Sequence, residues 1–344
     1  MNLLIVIDVM KSDNTKDPSF TSDNSKENRT TPSTPINIDV TDNTAENMNQ
    51  VISPILDKFK TINGRDFFDI EDLNYILPSD KLEAERANLS HILRKHLWRG
   101  NFRAPIAEML EKGGAKILDI GCGQGRWIID MAIEYPSSTF IGIDVDSSFF
   151  PPIDKCPPNV CFLTCNVTYG IPFPKETFDF VYMDMMFTAF NEPQWSNLIK
   201  DIVRVLKFDG WIESSEPTFR FQNMGKTTKW IHDTAVKASM KERGVNVHIS
   251  TMMPKFFESN DELTNIQCVK IEYPIGDWYG YFGKYSVNNV RRVFHSMVFV
   301  PQYMGITYDE YTELLKDFVK ESNENKTYTH LQRCFAKKTL FTSF

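Results

Sequence analysis

The stretch Gly121-Cys122-Gly123-Gln124-Gly125, with an aspartate on either side, has the residue types and spacing to hold a ligand. Glycines permit positive φ and let ligand atoms approach a backbone that a Cβ would otherwise shield. Asp119 stands just upstream of the turn, and Asp144 follows it at about 20 residues, the distance at which a second strand would end. A carboxylate there can accept hydrogen bonds from both hydroxyls of a ribose. The pattern points to a nucleoside ligand. Three other side chains, His91, Asp184 and Glu216, are the candidates for taking a proton from a second reactant, and Met185 joins Asp184 as a pocket candidate.

The elements that must position these residues are local. Lys116-Ile117-Leu118-Asp119-Ile120 reads as a strand, and Arg126-Trp127-Ile128-Ile129-Asp130-Met131-Ala132 reads as a helix stopped by Tyr135-Pro136. Thr139-Phe140-Ile141-Gly142-Ile143 is a second strand, so the whole forms a βαβ half-unit ending in Asp144.

Dinucleotide folds carry G-x-G-x-x-G, whereas this turn is Asp-x-Gly-x-Gly-x-Gly. It resembles motif I of the class I S-adenosylmethionine-dependent methyltransferases. The resemblance implies an α/β fold: a Rossmann-like, doubly wound seven-stranded sheet, mostly parallel with an antiparallel last strand, plus an N-terminal helical lid. It implies S-adenosyl-L-methionine as cofactor. By position, Asp119 would hold the methionine amino group, while Gly121, Cys122, Gly123 and Gly125 pass under the methionyl moiety and Asp144 binds the ribose. Val145 and Val167 would sandwich the adenine, and Asp184 is a further cofactor-binding candidate. Asn166 stands where the family usually has an acid; its carbonyl would accept from the adenine amine and its NH2 would donate to a ring nitrogen. The patterns Tyr75-x-Leu77-Pro78-x-Asp80-x-x-Glu83-x-x-Arg86, with His91 and Ala104-Pro105 after it, and Pro274-Ile275-Gly276-Asp277-Trp278 are similar to the fungal LaeA-like, or TAM-domain, group.

Composition bounds the rest. With 344 residues and 42% hydrophobic content, the chain can bury one substantial core. A net charge of −7 disfavours a nucleic-acid partner. The six cysteines show no C-x-x-C, so reduced thiols are expected and no metal site. Leu3-Leu4-Ile5-Val6-Ile7 is too short to span a membrane and does not have the flanks of a signal peptide, which implies a cytoplasmic or nuclear protein.

Domains are expected at 1–50, a disordered polar leader; 51–114, a helical lid segment; and 115–344, the methyltransferase domain with a helical insertion at about 274–327. Asp80 and Glu83 have capping-box spacing for a helix to about Arg99, with Leu82, Leu89, Ile92, Leu93 and Leu97 as its apolar face. A second helix runs from Pro105 to Gly113. Later strands are expected within 158–167, which includes an exit loop, within the loop-and-strand block 171–184, and at Trp211–Glu213, Gln267–Tyr273 and Thr329–Lys337, the last returning antiparallel. Helices are expected from Glu192 to the turn at Lys207-Phe208-Asp209-Gly210, from Thr228 to Arg243, from Val287 to Tyr303, and from Tyr308 to Ser322 behind a Thr307–Glu310 cap.

Three functions fit: a methyltransferase on a small molecule; a protein methyltransferase or LaeA-like regulator that assembles with a protein partner; and a cofactor-binding scaffold without turnover.

Overall fold

The computed structural model describes residues 59–70 and 73–340, and the expected leader, like the start of the lid segment, lies outside them. Seven strands form one sheet. In chain order after an initial hairpin they are β3 (Lys116–Ile120), β4 (Thr139–Asp144), β5 (Val160–Thr164), β6 (Phe178–Asp184), β7 (Leu206–Pro217), β8 (Leu263–Pro274) and β9 (Tyr328–Lys338). Their spatial order is β5-β4-β3-β6-β7-β9-β8, with β9 antiparallel to both neighbours. The buried pattern of β3 follows from its apolar run, since a strand covered by helices on both faces needs no polar alternation. Strand order reverses between β3 and β6, where Asp119 pairs with Tyr182 and Ile120 with Met183. That is the switch point at which open α/β sheets bind ligands.

Helices α1 (Lys81–Trp98), α2 (Ala107–Lys112), α3 (Arg126–Glu134), α4 (Glu192–Val205) and α5 (Lys226–Arg243) are joined by α6 (Met253–Glu258), α7 (Gly280–Ser296), α8 (Val300–Met304) and α9 (Tyr308–Glu324). On one face of the sheet, Ile106, Leu110, Ile117, Trp127, Ile128, Met131, Phe140 and Phe180 form a core in which the Trp127 ring stacks on Tyr182 at 4.0 Å. On α4, Trp195, Leu198, Ile199 and Ile202 are buried as their spacing requires, and Asn191 with Gln194 makes a complete capping box.

Several expectations need correcting. The buried face of α1 is polar: Glu83, Arg86, Ser90 and Arg94 lie inward with Leu93 and Trp98, while Leu82 is 60% exposed. Leucine spacing misled because the charged side chains of this helix turn inward to a cavity rather than a core. Asp80 caps the helix through Glu83 N–H, but the Glu83 carboxylate turns to Arg86 instead of back to the cap. β7 begins at Leu206, with Lys207–Gly210 bulged out of register between Phe178 and Phe180 and Asp209 at φ 66°. The expected helix Val287–Tyr303 starts earlier, at Gly280, and breaks after Ser296. Pro301, without a donor N–H, opens α8 rather than continuing the helix.

Two features were not anticipated. β1 (Phe59–Ile62) and β2 (Arg65–Phe68) form a hairpin around Asn63-Gly64, both at positive φ as a tight turn demands. Cys268 and Cys334 face each other across β8 and β9 and form a disulfide, against the expectation of reduced thiols. They are 66 residues apart in sequence, so only the strand pairing reveals them. The other four cysteines are free. Among the described residues no cluster suits a metal ion, and no helix is long and apolar enough to cross a membrane.

Candidate cofactor and acceptor site

A cavity of about 250 Å³ lies at the C-terminal ends of β3, β4 and β6, walled on its outer side by α1. Its floor is the glycine turn. Gly121, Gly123 and Gly125 all have positive φ, and the N–H groups of Gly121 and Cys122 both reach Ile143 O, which fastens the turn to β4. A Cβ at Gly121 would meet Met186 Sδ at 2.2 Å, and one at Gly125 would meet the Phe162 ring at 2.5 Å. The turn is glycine-rich for lack of room as well as for conformation.

Asp119, at the end of β3, is buried, and no group among the described residues donates a hydrogen bond to its carboxylate. Burial, with Asp184 and Asp144 as negative neighbours, pushes its pKa well above the usual carboxylate range. Such a group lacks a cation. Asp144 differs: Oδ2 accepts from Gly123 N–H at 2.7 Å and Oδ1 from Asp146 N–H at 2.9 Å. Burial still outweighs these bonds and lifts its pKa to about 6. Each oxygen retains a lone pair for another donor.

Val145, Asn166 and Val167 line the cavity. Asn166 departs in one detail. Its carbonyl oxygen accepts from Thr168 N–H at 3.1 Å and Thr168 Oγ at 2.7 Å, so both lone pairs are used and only its NH2 remains to meet a ligand. Cys122 also lines the cavity, with its thiol pKa raised well above normal by burial.

The three proton-acceptor candidates separate. Glu216 does not line the cavity: it is 1% exposed, and its Oε1 and Oε2 each accept, at 3.0 Å, from the N–H of Met186 and Phe187 respectively. It braces the loop after β6, where Met185 sits at φ 61°, so it is neither a solvated acid nor placed to act as a base. Asp184 lines the cavity, but its Oδ2 receives both Nε and an NH2 group of Arg94, at 3.2 and 2.5 Å. That oxygen is committed to the Arg94 guanidinium. His91 lines the cavity with its Nε2 3.2 Å from Asp130 Oδ2, which Lys95 Nζ also contacts at 2.7 Å. When Nε2 donates to Asp130, Nδ1 is left as the acceptor of the ring.

Sequence reasoning missed Arg94 and the fastening of α1. Gln124, within the glycine turn, donates to Ala84 O and accepts from Asn88, while Ser79 donates to Asp146. The signal was present in the sequence: Glu83, Arg86, Ser90 and Arg94 recur at helical spacing, which marks a polar stripe.

The strand order, the switch-point cavity and the glycine turn define a class I methyltransferase fold. Residues 117–210 match the family described as "Methyltransferase domain". Over 205 residues it is 27% identical to "Methyltransferase str2" of Strobilurus tenacellus, covering 58% of this chain and 71% of that one. Over 174 residues it is 28% identical to "N-methyltransferase verN" of Clonostachys rogersoniana, covering 49% and 60%. Over 167 residues it is 29% identical to "Secondary metabolism regulator laeA" of Aspergillus fumigatus, covering 46% and 40%. The chain thus spans well under two thirds of the LaeA relative. Among solved structures it is similar to phosphoethanolamine N-methyltransferase 2 of Haemonchus contortus at 14% identity and a TM-score of 0.44, covering 78% of this chain and 54% of that one. That likeness is too distant to add to the strand order.

Proposed function

We propose that the chain binds S-adenosyl-L-methionine and transfers its methyl group to a small-molecule acceptor. The buried Asp119 carboxylate carries this reading, because a group without a donor at the glycine turn fits a ligand bringing an ammonium. When bound, the cofactor supplies an activated methyl group on a sulfonium, which leaves the protein mainly the tasks of orientation and water exclusion.

Asp119 would hold the ammonium, Asp144 the ribose hydroxyls and the Asn166 NH2 an adenine ring nitrogen. Helix α1, fastened to the turn through Gln124 and Asn88, would act as the lid. His91 is the residue we assign to receive a proton from the acceptor, with Asp130 fixing its tautomer. A small acceptor suits a cavity that Phe68, Tyr75, Phe149 and Phe190 also line. The LaeA-like relatives support a second reading, a regulator acting through a protein partner.

Calorimetric titration of S-adenosylmethionine and S-adenosylhomocysteine into the wild type and Asp144→Ala tests the cofactor site without needing the acceptor. Micromolar binding that the variant loses is the expected result. No binding by the wild type would sink the reading.

A further inference from the structure

The sheet ends at β8, whose outer edge is open. β8 pairs with β9 on one side, and on the other it has no neighbouring strand among the described residues. Gln267, Cys268, Val269 and Lys270 are exposed in succession, whereas Leu263 near one end and Tyr273 near the other are buried. Successive residues of a strand point to opposite faces, so the middle of β8 is covered on neither.

The direction of its backbone groups follows from the strand pairing. Cys268 and Cys334 stand opposite each other with Cα atoms 4.1 Å apart, the spacing of an antiparallel pair that exchanges no backbone hydrogen bonds. The N–H and C=O of Cys268 therefore point away from β9. The unbroken register from Gln267 to Pro274 sends those of Lys270 and Glu272 the same way. No turn, loop or helix among the described residues supplies a backbone partner for them. Nor does any ion pair or side-chain hydrogen bond among those residues involve Lys270 or Glu272, both of which are exposed.

Open edges invite another strand, and proteins guard them with lysines and bulges. β8 carries one of each, yet both leave its second half able to pair. The bulge, with Asn265 at φ 51°, falls between Thr264 and Gln267, before the straight run. The lysine has Glu272 beside it on the same face.

A second copy of the chain fits this edge by charge. In an antiparallel two-fold pair centred on Ile271, Lys270 of each copy lies opposite the partner's Glu272. The two residues exchange backbone hydrogen bonds and form an ion pair, and the two Ile271 side chains meet at the axis. Centring on Lys270 or on Glu272 would set like charges against each other. A pair centred between residues would place outward-pointing backbone groups opposite inward-pointing ones. We propose that the chain forms a two-fold homodimer through β8, which joins two seven-stranded sheets edge to edge.

The test is the association state of the full chain, followed by sedimentation velocity across the micromolar range for the wild type, Lys270→Glu, Glu272→Lys and the double exchange. The wild type should dimerise, each single reversal should weaken association about tenfold or more, and the double exchange, which restores opposite charges, should recover it. Circular dichroism checks that each variant keeps the fold. Independently of any variant, carbodiimide crosslinking of mixed isotopically light and heavy wild type should join Lys270 of one copy to the partner's Glu272. A wild type that stays monomeric, or a dimer that both single reversals leave intact, would overturn the proposal. So would Lys270 crosslinked instead to carboxylates of residues 1–58 of its own chain, which would make that segment the occupant of the edge.

Discussion

The Glu216 carboxylate accepts from the backbone N–H of Met186 at 3.0 Å, and its second oxygen does the same for the next residue. An acid at the end of β7 thereby fixes the loop leaving β6, which carries Met185 and Met186 into the cavity wall. Glu216→Ala should leave two amides without a partner and lower the unfolding free energy by about 3 kcal/mol. Glu216→Gln, which keeps the shape and one acceptor, should cost less. Urea unfolding of the three proteins checks this. A Glu216→Gln variant of unchanged stability but abolished turnover would restore Glu216 as a base.

The glycine turn gives a ranked expectation. A Cβ at Gly125 would press on the rigid Phe162 ring, one at Gly121 would meet the flexible end of Met186, and one at Gly123 would meet nothing within 4 Å. All three positions also carry the cost of positive φ for a side chain, about 1 kcal/mol. Thermal melts should therefore show Gly125→Ala as the most damaging, then Gly121→Ala, then Gly123→Ala. The reverse order would mean that the turn is held differently.

Asp144 should make cofactor affinity depend on pH. Its pKa is raised to about 6, so it is ionised above that value and becomes a weaker acceptor as pH falls through it. Binding of S-adenosylhomocysteine should weaken from pH 7.5 to pH 5 in the wild type. Asp144→Ala should bind roughly 10- to 100-fold more weakly at pH 7.5, and the part of the pH dependence due to this residue should be gone. Isothermal titration across pH measures both.

Asp119 leads to proton release. Burial and the neighbouring Asp184 and Asp144 raise its pKa well above the usual carboxylate range, so without a ligand the site favours holding a proton. An arriving ammonium favours the carboxylate, so that proton should leave on binding. Titration heats in phosphate and in Tris should then differ with the ionisation enthalpy of the buffer, and Asp119→Asn should remove the difference. Heats independent of buffer in the wild type would show that Asp119 is already ionised.

The sequence by itself determined the parts of the fold that depend on near neighbours. The strand, glycine turn, helix and second strand from Lys116 to Asp144 appear with the expected bounds, because each boundary is set by residues within a few positions of it. The same locality made the helix start at Glu192 and the one behind Thr307 readable. The antiparallel last strand and the class of the sheet came from resemblance, and the strand pairing agrees.

Tertiary structure decided the partners. Whether Glu216, Asp184 or His91 is free to take a proton depends on Met186 and Phe187, Arg94 and Asp130, which lie far off in sequence and arrive only when β6, β7, α1 and α3 pack. The inward face of α1 was misread for the same reason: amphipathic spacing identifies a face but not its destination, and here the polar stripe turns inward because a cavity rather than a core lies beneath it. Spacing in a chain fixes local conformation, while the protonation state and role of a side chain follow from the charges and donors that folding brings to it.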